Sequence, residues 1–228
     1  MTAEEFSDQF DVLYNNITSN QAAGLTEYEK CVFLTKAQTE IVKNYFTANS
    51  KGNNIGQGFD DSAKRQADFS CLMMTSDCDP VPTSSLPAGY KAIDSRSATY
   101  KFPSDVFIVI NESIKLSSPE GRILQVIPLR YDDYTAKMSK PYKRPNKYQA
   151  WRLLNQGAYT GSTTNRYAEI IVGPSETINT YSIRYIKFPK PIIIGDLDDL
   201  SLEGYKYGSG DMRTIGCELD PILHQDIL

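Results

Sequence analysis

The sequence predicts an α+β fold. A helical element, made of an N-terminal helix pair and a C-terminal helix, carries an inserted, mainly antiparallel β-rich domain. Three observations lead there. Apolar residues recur at helical spacing over residues 1–50 and again over 218–228, the period shortens to that of strands in between, and the strand-like runs are brief and bounded by Gly, Pro, Asn and Ser. The expected boundaries are a helical pair over 1–50 completed by a helix over 218–228, and a β-rich domain over 59–217 with long loops and a basic arm at 137–152.

Taken in order, Phe6, Phe10, Leu13, Tyr14 and Ile17 fall on one helical face, which predicts an amphipathic helix near 3–18. Residues 20–24 break it. Thr26 and Glu29 then have the spacing of a capping box and open a second helix near 27–48, whose apolar face is Leu34, Ala37, Ile41 and Tyr45 with Phe33 and Phe46 beside it. Two such helices leave apolar surface uncovered, and Ile222, Leu223 and Ile227, after a Pro221 tolerated in a first turn, offer the third partner. Residues 49–58 read as a connector. The strand candidates are 69–74, 100–110, 121–129, 167–173, 180–188 and 191–194. The run TYSIRYIKF at 180–188 alternates imperfectly and reads as at best partly exposed. Residues 75–90 read as a long loop, and 131–154 as a helical turn followed by a basic stretch.

Composition excludes several classes. With 40% hydrophobic and 23% charged residues the chain is an ordered one. Its pI near 5.1 opposes free-standing nucleic-acid binding, which usually needs a basic face. The charge is nevertheless unevenly placed. Residues 134–168 contain seven cations and no acid, so the rest of the chain carries −11 against a net charge of −4. The acidic start MTAEEFSDQF does not read as a signal peptide, and no run approaches the ~20 apolar residues needed to span a bilayer, so no membrane partner is expected.

Enzymatic chemistry finds no constellation. Cys31, Cys71, Cys78 and Cys217 form no CxxC pair, the one histidine is His224, and zinc is not expected; Cys31 and Cys71 read as buried free thiols. His224 reads as a partly exposed helical residue. Gly56-Gln57-Gly58 lacks the rest of a dinucleotide fingerprint. Asp77 with Asp79, and Asp196 with Asp198 and Asp199, lack the spacing of a cation loop and read as solvated turns. The expectation is a protein that is not an enzyme and takes no cofactor or metal.

The segment SKPYKRPNKYQAWR at 139–152 is the chain's clearest interaction signal. Cations interleaved with aromatics suit single-stranded nucleic acid, but Arg, Tyr and Trp are also the residues that protein interfaces enrich. On an acidic chain the second reading prevails: a proline-stiffened extended arm that lies on the acidic face of another copy or a partner. The residues assigned to it are Lys140, Tyr142, Lys143, Arg144, Lys147, Tyr148, Trp151 and Arg152. The alternative is a nucleic-acid-binding protein that uses 140–152.

Four stretches in order, FDVLYNNITSNQAAGLTEYEKCVFLTKAQTEIVKNYF, VIPLRYDDYTAKMSKPYKRPNKYQAWRLL, IRYIKFPKPIII and CELDPILHQDIL, resemble a structural protein of crAss-like and related Bacteroidales-infecting tailed phages. The likeness is to the ring or head-to-tail connector proteins of the neck, and it is weakest over 49–99. It implies a virion component, made in the host bacterial cytoplasm, that forms a ring of about twelve copies in the neck between head and tail. It implies as partners the same chain, the portal protein, other neck or tail ring proteins, and packaged double-stranded DNA passing through the lumen. It also implies that the helix begun at Pro221 would run on, so that its stop at Leu228 leaves it short.

Overall fold

The computed structural model describes residues 1–17, 24–47, 67–86, 92–94, 97–118, 121–160, 163–174, 176–197, 200–206 and 214–228. The connector at 49–58 with its Gly56-Gln57-Gly58, and the acids Asp198 and Asp199, lie outside the described residues, as do the side chains of Ile17, Tyr45 and Phe46. The chain forms two compact units, one of Met1–Leu72 with Phe188–Leu228 and one of Met73–Lys187. The fold is α+β, with a mainly antiparallel sheet.

In the first unit, α1 (Ala3–Ile17) and α2 (Glu27–Thr47) both begin with reciprocal caps. Thr26 N–H donates to Glu29 Oε2 at 2.9 Å while Glu29 N–H donates to Thr26 Oγ1 at 3.3 Å, satisfying two amides that the helix itself leaves unpaired. Thr2 and Glu5 do the same for α1, at 2.9 and 3.2 Å. Phe6 is fully buried and Phe10 stacks on Tyr14 and Phe33, whereas Leu13 is exposed. The chain's end supplies the third element. Asp220 caps a 3-10 turn, Pro221–Leu223, which continues as α4 (His224–Ile227), so that Leu223, His224 and Ile227 are buried and Ile222 points outward.

His224 is therefore not the partly exposed residue its position suggested. Its ring lies 5.2 Å from that of Phe6, and its Nε2 sits 3.0 Å from the Leu219 carbonyl. A carbonyl only accepts, so Nε2 donates, and Nδ1 accepts from the Met1 amino group at 3.0 Å. Both ring nitrogens are thus committed to structure.

The buried face of α2 is Cys31, Leu34, Thr35, Gln38 and Val42, rotated from the expected stripe, and Phe33 is about half exposed. The rotation has a cause. The extended segment at 190–194 runs along the helix without joining the main sheet, and α2 supplies three of its hydrogen bonds. Ile194 N–H donates to Cys31 Sγ at 3.4 Å, Ile192 N–H to Thr35 Oγ1 at 3.1 Å, and Gln38 Nε2 to the Lys190 carbonyl at 3.0 Å. Seven helical residues rise about 10 Å and four extended ones span about 13 Å, so the two spacings match and alternate backbone groups are met. The run PIII, expected as a strand, makes one bridge, Ile193 to Ile215.

The second unit is an eight-stranded sheet: β1 (Met73–Asp77), β2 (Asp79–Pro80), β3 (Ala98–Lys101), β4 (Val106–Ser118), β5 (Ile123–Leu129), β6 (Gln149–Thr160), β7 (Thr163–Ile171) and β8 (Thr177–Lys187). Their spatial order is β1-β8-β4-β5-β6-β7-β3-β2. The two end strands are consecutive in the chain, with only Cys78 between them. The ends of the sheet therefore meet, and it curls into a barrel-like form in which one segment changes partner at Cys78. Cys78 is buried there, and burial pushes its thiol up to about 12, so it packs as an inert apolar group. Cys71, expected to be buried, is exposed; all four cysteines are free thiols.

Alternation then assigns the faces. Even-numbered Ile114 and Leu116 of β4, Leu124 and Val126 of β5, Ala150 of β6 and Ala168 and Ile170 of β7 share one core with odd-numbered Tyr181, Ile183 and Tyr185 of β8. The strand at 177–187, expected to be partly exposed, lies between β1 and β4 with Tyr181, Ile183, Tyr185 and Ile186 buried. A smaller cluster of Leu129, Trp151, Leu153 and Ile171 lies on the opposite face.

Candidate functional site: a basic crossover

Every neighbouring pair in the sheet is antiparallel except β5 and β6. Parallel neighbours cannot be joined by a tight turn, because the chain must return to the end where it began. The return is made by residues 130–148, and the basic segment is that crossover. It begins with α3 (Tyr131–Met138), whose Asp132 and Asp133 sit at the positive end of the helix, and passes into a 3-10 turn, Pro141–Lys143, with Pro141 in its first position.

The segment does not extend as an arm. Ser139, Lys140 and Lys143 each donate a backbone N–H to a carbonyl three or four residues earlier, and the Arg144 guanidinium donates through Nε to the Met138 carbonyl at 2.8 Å. Asn146 Oδ1 accepts from Tyr148 N–H at 2.9 Å, and Asn146 bridges to Gln149 where β6 starts. The prolines fix successive turns rather than a straight rod, each turn satisfying the one before.

This folding sorts the eight expected site residues into two groups. Lys140, Tyr142, Lys143, Arg144, Lys147 and Tyr148 are exposed together; Tyr142 is 99% exposed and Tyr148 64%. Lys147 Nζ lies 5.2 Å from the Tyr148 ring centre, a cation–π contact. None of Lys140, Lys143 and Lys147 has an ion-pair partner among the described residues. Trp151 and Arg152 belong to the sheet. Trp151 is buried with Leu129, Leu153 and Ile171, under Tyr134 and Met138 of α3, its ring edge-on to Tyr134 at 6.3 Å. It anchors the crossover from below, and its ring does not reach the exposed surface.

Arg152 points to the other side of β6, into the barrel. Its Nε lies 3.3 Å from Glu112 Oε1, at an angle too poor for a hydrogen bond, and Tyr181 donates to Glu112 Oε2 at 2.9 Å. Burial pushes the Glu112 carboxyl up, against the opposing pull of Arg152 and the Tyr181 hydrogen bond. The Tyr181 hydroxyl is held far above its ordinary range by burial and by the same carboxylate. This interior triad carries charge on β4 and β6 into a core otherwise made of aliphatic and aromatic groups.

Sequence reasoning missed a second carboxylate. Glu169 of β7 is fully buried on the face that bears α3 and accepts from Ile93 N–H at 2.8 Å, Asp94 N–H at 3.3 Å and Ser97 Oγ at 2.6 Å. Asp94 in turn accepts from Tyr134 Oη at 3.2 Å. Ile93, Asp94 and Ser97 and the crossover helix are thereby tied to one strand. The only hint in the sequence is an acid inside the otherwise apolar run YAEIIVG.

The arrangement offers an outward-facing patch of cations and tyrosines, with hydrophobic anchoring beneath. Among the described residues no three His, Cys, Asp or Glu side chains are grouped to hold a metal. No described helix is long and apolar enough to cross a membrane.

Comparison with known proteins agrees with the family resemblance. All of residues 1–228 match the family described as phage tail ring protein 3/4. The chain is 47% identical over 232 residues to "Ring protein 4/5" of Bacteroides phage crAss001, covering all of this chain and 89% of the relative. It is 30% identical over 236 residues to "Ring protein 3" of the same phage, covering all of this chain and 92% of that relative. The chain belongs to the phage tail ring protein 3/4 family of crAss-like phages.

Proposed function

We propose that this chain is a structural subunit of a ring in the phage neck, stacked between the portal and the tail, through which packaged DNA passes. The full-length match to ring proteins carries this reading. In it the ring has about twelve copies, consistent with closure of a heterologous contact around an axis. The work of the protein is mechanical rather than catalytic, and its partners are its own copies, the portal, other neck or tail ring proteins and the DNA in the lumen. A net charge of −4 suits such a channel, since a like-charged wall gives DNA little to adhere to. The exposed crossover, with Lys140, Tyr142, Lys143, Arg144, Lys147 and Tyr148, is the surface offered to a neighbour.

A reconstruction of the virion of the phage that encodes this chain tests the reading, with rings of this chain between head and tail as the expected result. Its absence from the neck would overturn the placement. The exposed tyrosines among exposed lysines also favour a second reading, single-stranded nucleic-acid binding by 140–152. A salt titration of DNA binding separates the two, because phosphate contacts release counterions and weaken steeply with salt.

A further inference from the structure

We propose that the outward face of α1 is the surface on a neighbouring copy that receives the basic crossover. The proposal rests on the ring reading and adds to it the place of contact. α1 carries Glu4, Glu5, Asp8 and Asp11 and no lysine or arginine. Two of these acids have internal work: Glu5 closes the cap with Thr2, and Asp11 pairs at 2.8 Å with the buried Lys30. Glu4 and Asp8, one turn apart on one side, are exposed and have no ion-pair partner among the described residues. On the next turn Val12 is 61% exposed and Leu13 40%. The stripe from Glu4 to Val12, about 12 Å long, is thus acidic at its start and apolar at its end.

The crossover has the opposite charge and the same kind of apolar content: Lys140, Lys143 and Lys147, without an ion-pair partner among the described residues, beside exposed Tyr142 and Tyr148. The two surfaces are complementary, and one chain carries both. Each copy therefore presents its crossover to one neighbour and its α1 to the other, the heterologous contact from which closed rings are built. A second copy fits better than nucleic acid, because α1 would repel phosphate. It also fits better than an unlike protein, because no other chain is needed to supply the matching half.

The test uses charge reversal in the full chain. Glu4→Lys with Asp8→Lys is one variant, Lys143→Glu with Lys147→Glu a second, and all four changes together a third. Ring formation is read by sedimentation velocity and negative-stain images, with thermal melts to check folding. Each double variant should reduce ring assembly by about tenfold or more, and the fourfold variant should recover most of it, because the attraction is restored with its sign exchanged. Glu4→Gln with Asp8→Asn, gentler on the helix start, should give a smaller loss. Unchanged assembly in the folded α1 variant, or no recovery in the folded fourfold variant, overturns the contact while leaving the ring reading in place. In purified virions, a zero-length carbodiimide cross-link should join Glu4 or Asp8 of one chain to Lys140, Lys143 or Lys147 of another, giving a covalent dimer. Particles that contain the protein but yield no such dimer overturn the contact as well. Particles that lack the protein overturn the ring reading itself.

Discussion

The extended segment at 190–194 and the strands of the curled sheet solve one problem in two ways. Both must satisfy backbone amides away from water, since an unmet buried amide costs about as much as a lost hydrogen bond. In the sheet every strand does so by pairing with another strand, so register and alternation decide which side chains are buried. At 190–194 three of the bonds come from Cys31, Thr35 and Gln38, side chains on one helix, beside the Ile193–Ile215 bridge and the Lys190 N–H that donates to Glu218 Oε2 at 3.1 Å. The difference shows how far each region can tolerate change. A strand ladder accepts many side chains, whereas a helix that serves as a hydrogen-bonding rail accepts few.

The largest effect that would break this contrast lies inside the barrel. Arg152→Met leaves Glu112 buried without its cation and should destabilise the unit by ~3–5 kcal/mol, with Arg152→Met and Glu112→Gln together regaining part of the loss. Denaturant unfolding of the parent chain and the two variants checks this; equal stability would mean that the triad is not held as described. Trp151→Ala removes the anchor under the crossover and should cost a similar ~3–5 kcal/mol. If that unfolding midpoint barely moved, α3 would be held by other means.

The same carboxylate makes a pH prediction. Because the folded state raises the Glu112 carboxyl, it binds the proton more readily than the unfolded chain does. The stability from this group is therefore complete below the ordinary carboxylate range and declines as pH rises through the raised value. Glu112→Gln should flatten that part of the stability profile. A profile identical to that of the parent chain would count against a raised carboxyl.

On the helical side, Thr35→Val keeps the shape but removes the oxygen that accepts from Ile192 N–H, and should cost ~1–3 kcal/mol. A neutral outcome would show that the rail is not needed. The smallest effect is expected at the surface: Lys143→Glu with Lys147→Glu should change the stability of the free chain by less than about 0.5 kcal/mol, so any loss of assembly in it reports on contact rather than folding.

What could be read in the sequence follows the same division. The α+β class, the first two helices and most strands were legible because their signals are local: period, cap and turn residues. The box at Thr2 and Glu5 has the same spacing as that at Thr26 and Glu29 and is equally legible. β6 was hidden because Arg152 breaks its apolar alternation, and that arginine makes sense only beside Glu112, forty residues away in sequence. Sequence proximity groups Trp151 with the exposed cations, whereas its neighbours in space are Tyr134, Leu129 and Ile171. His224, Glu169 and the 190–194 segment were illegible for one reason: their partners are distant in the chain, and no local pattern encodes them.

The strand that switches partner at Cys78 bears on crowding. A subunit that must stand beside many copies of itself, at the local concentration of a growing virion, risks endless strand-to-strand addition along any open sheet margin. Here the two terminal strands of the order are five and two residues long and run into each other. At these two ends of the eight-stranded sheet, little backbone is left on offer for fibrous growth. Self-recognition is left to side chains, whose geometry can be discrete, and an array built that way can stop when it meets its own beginning.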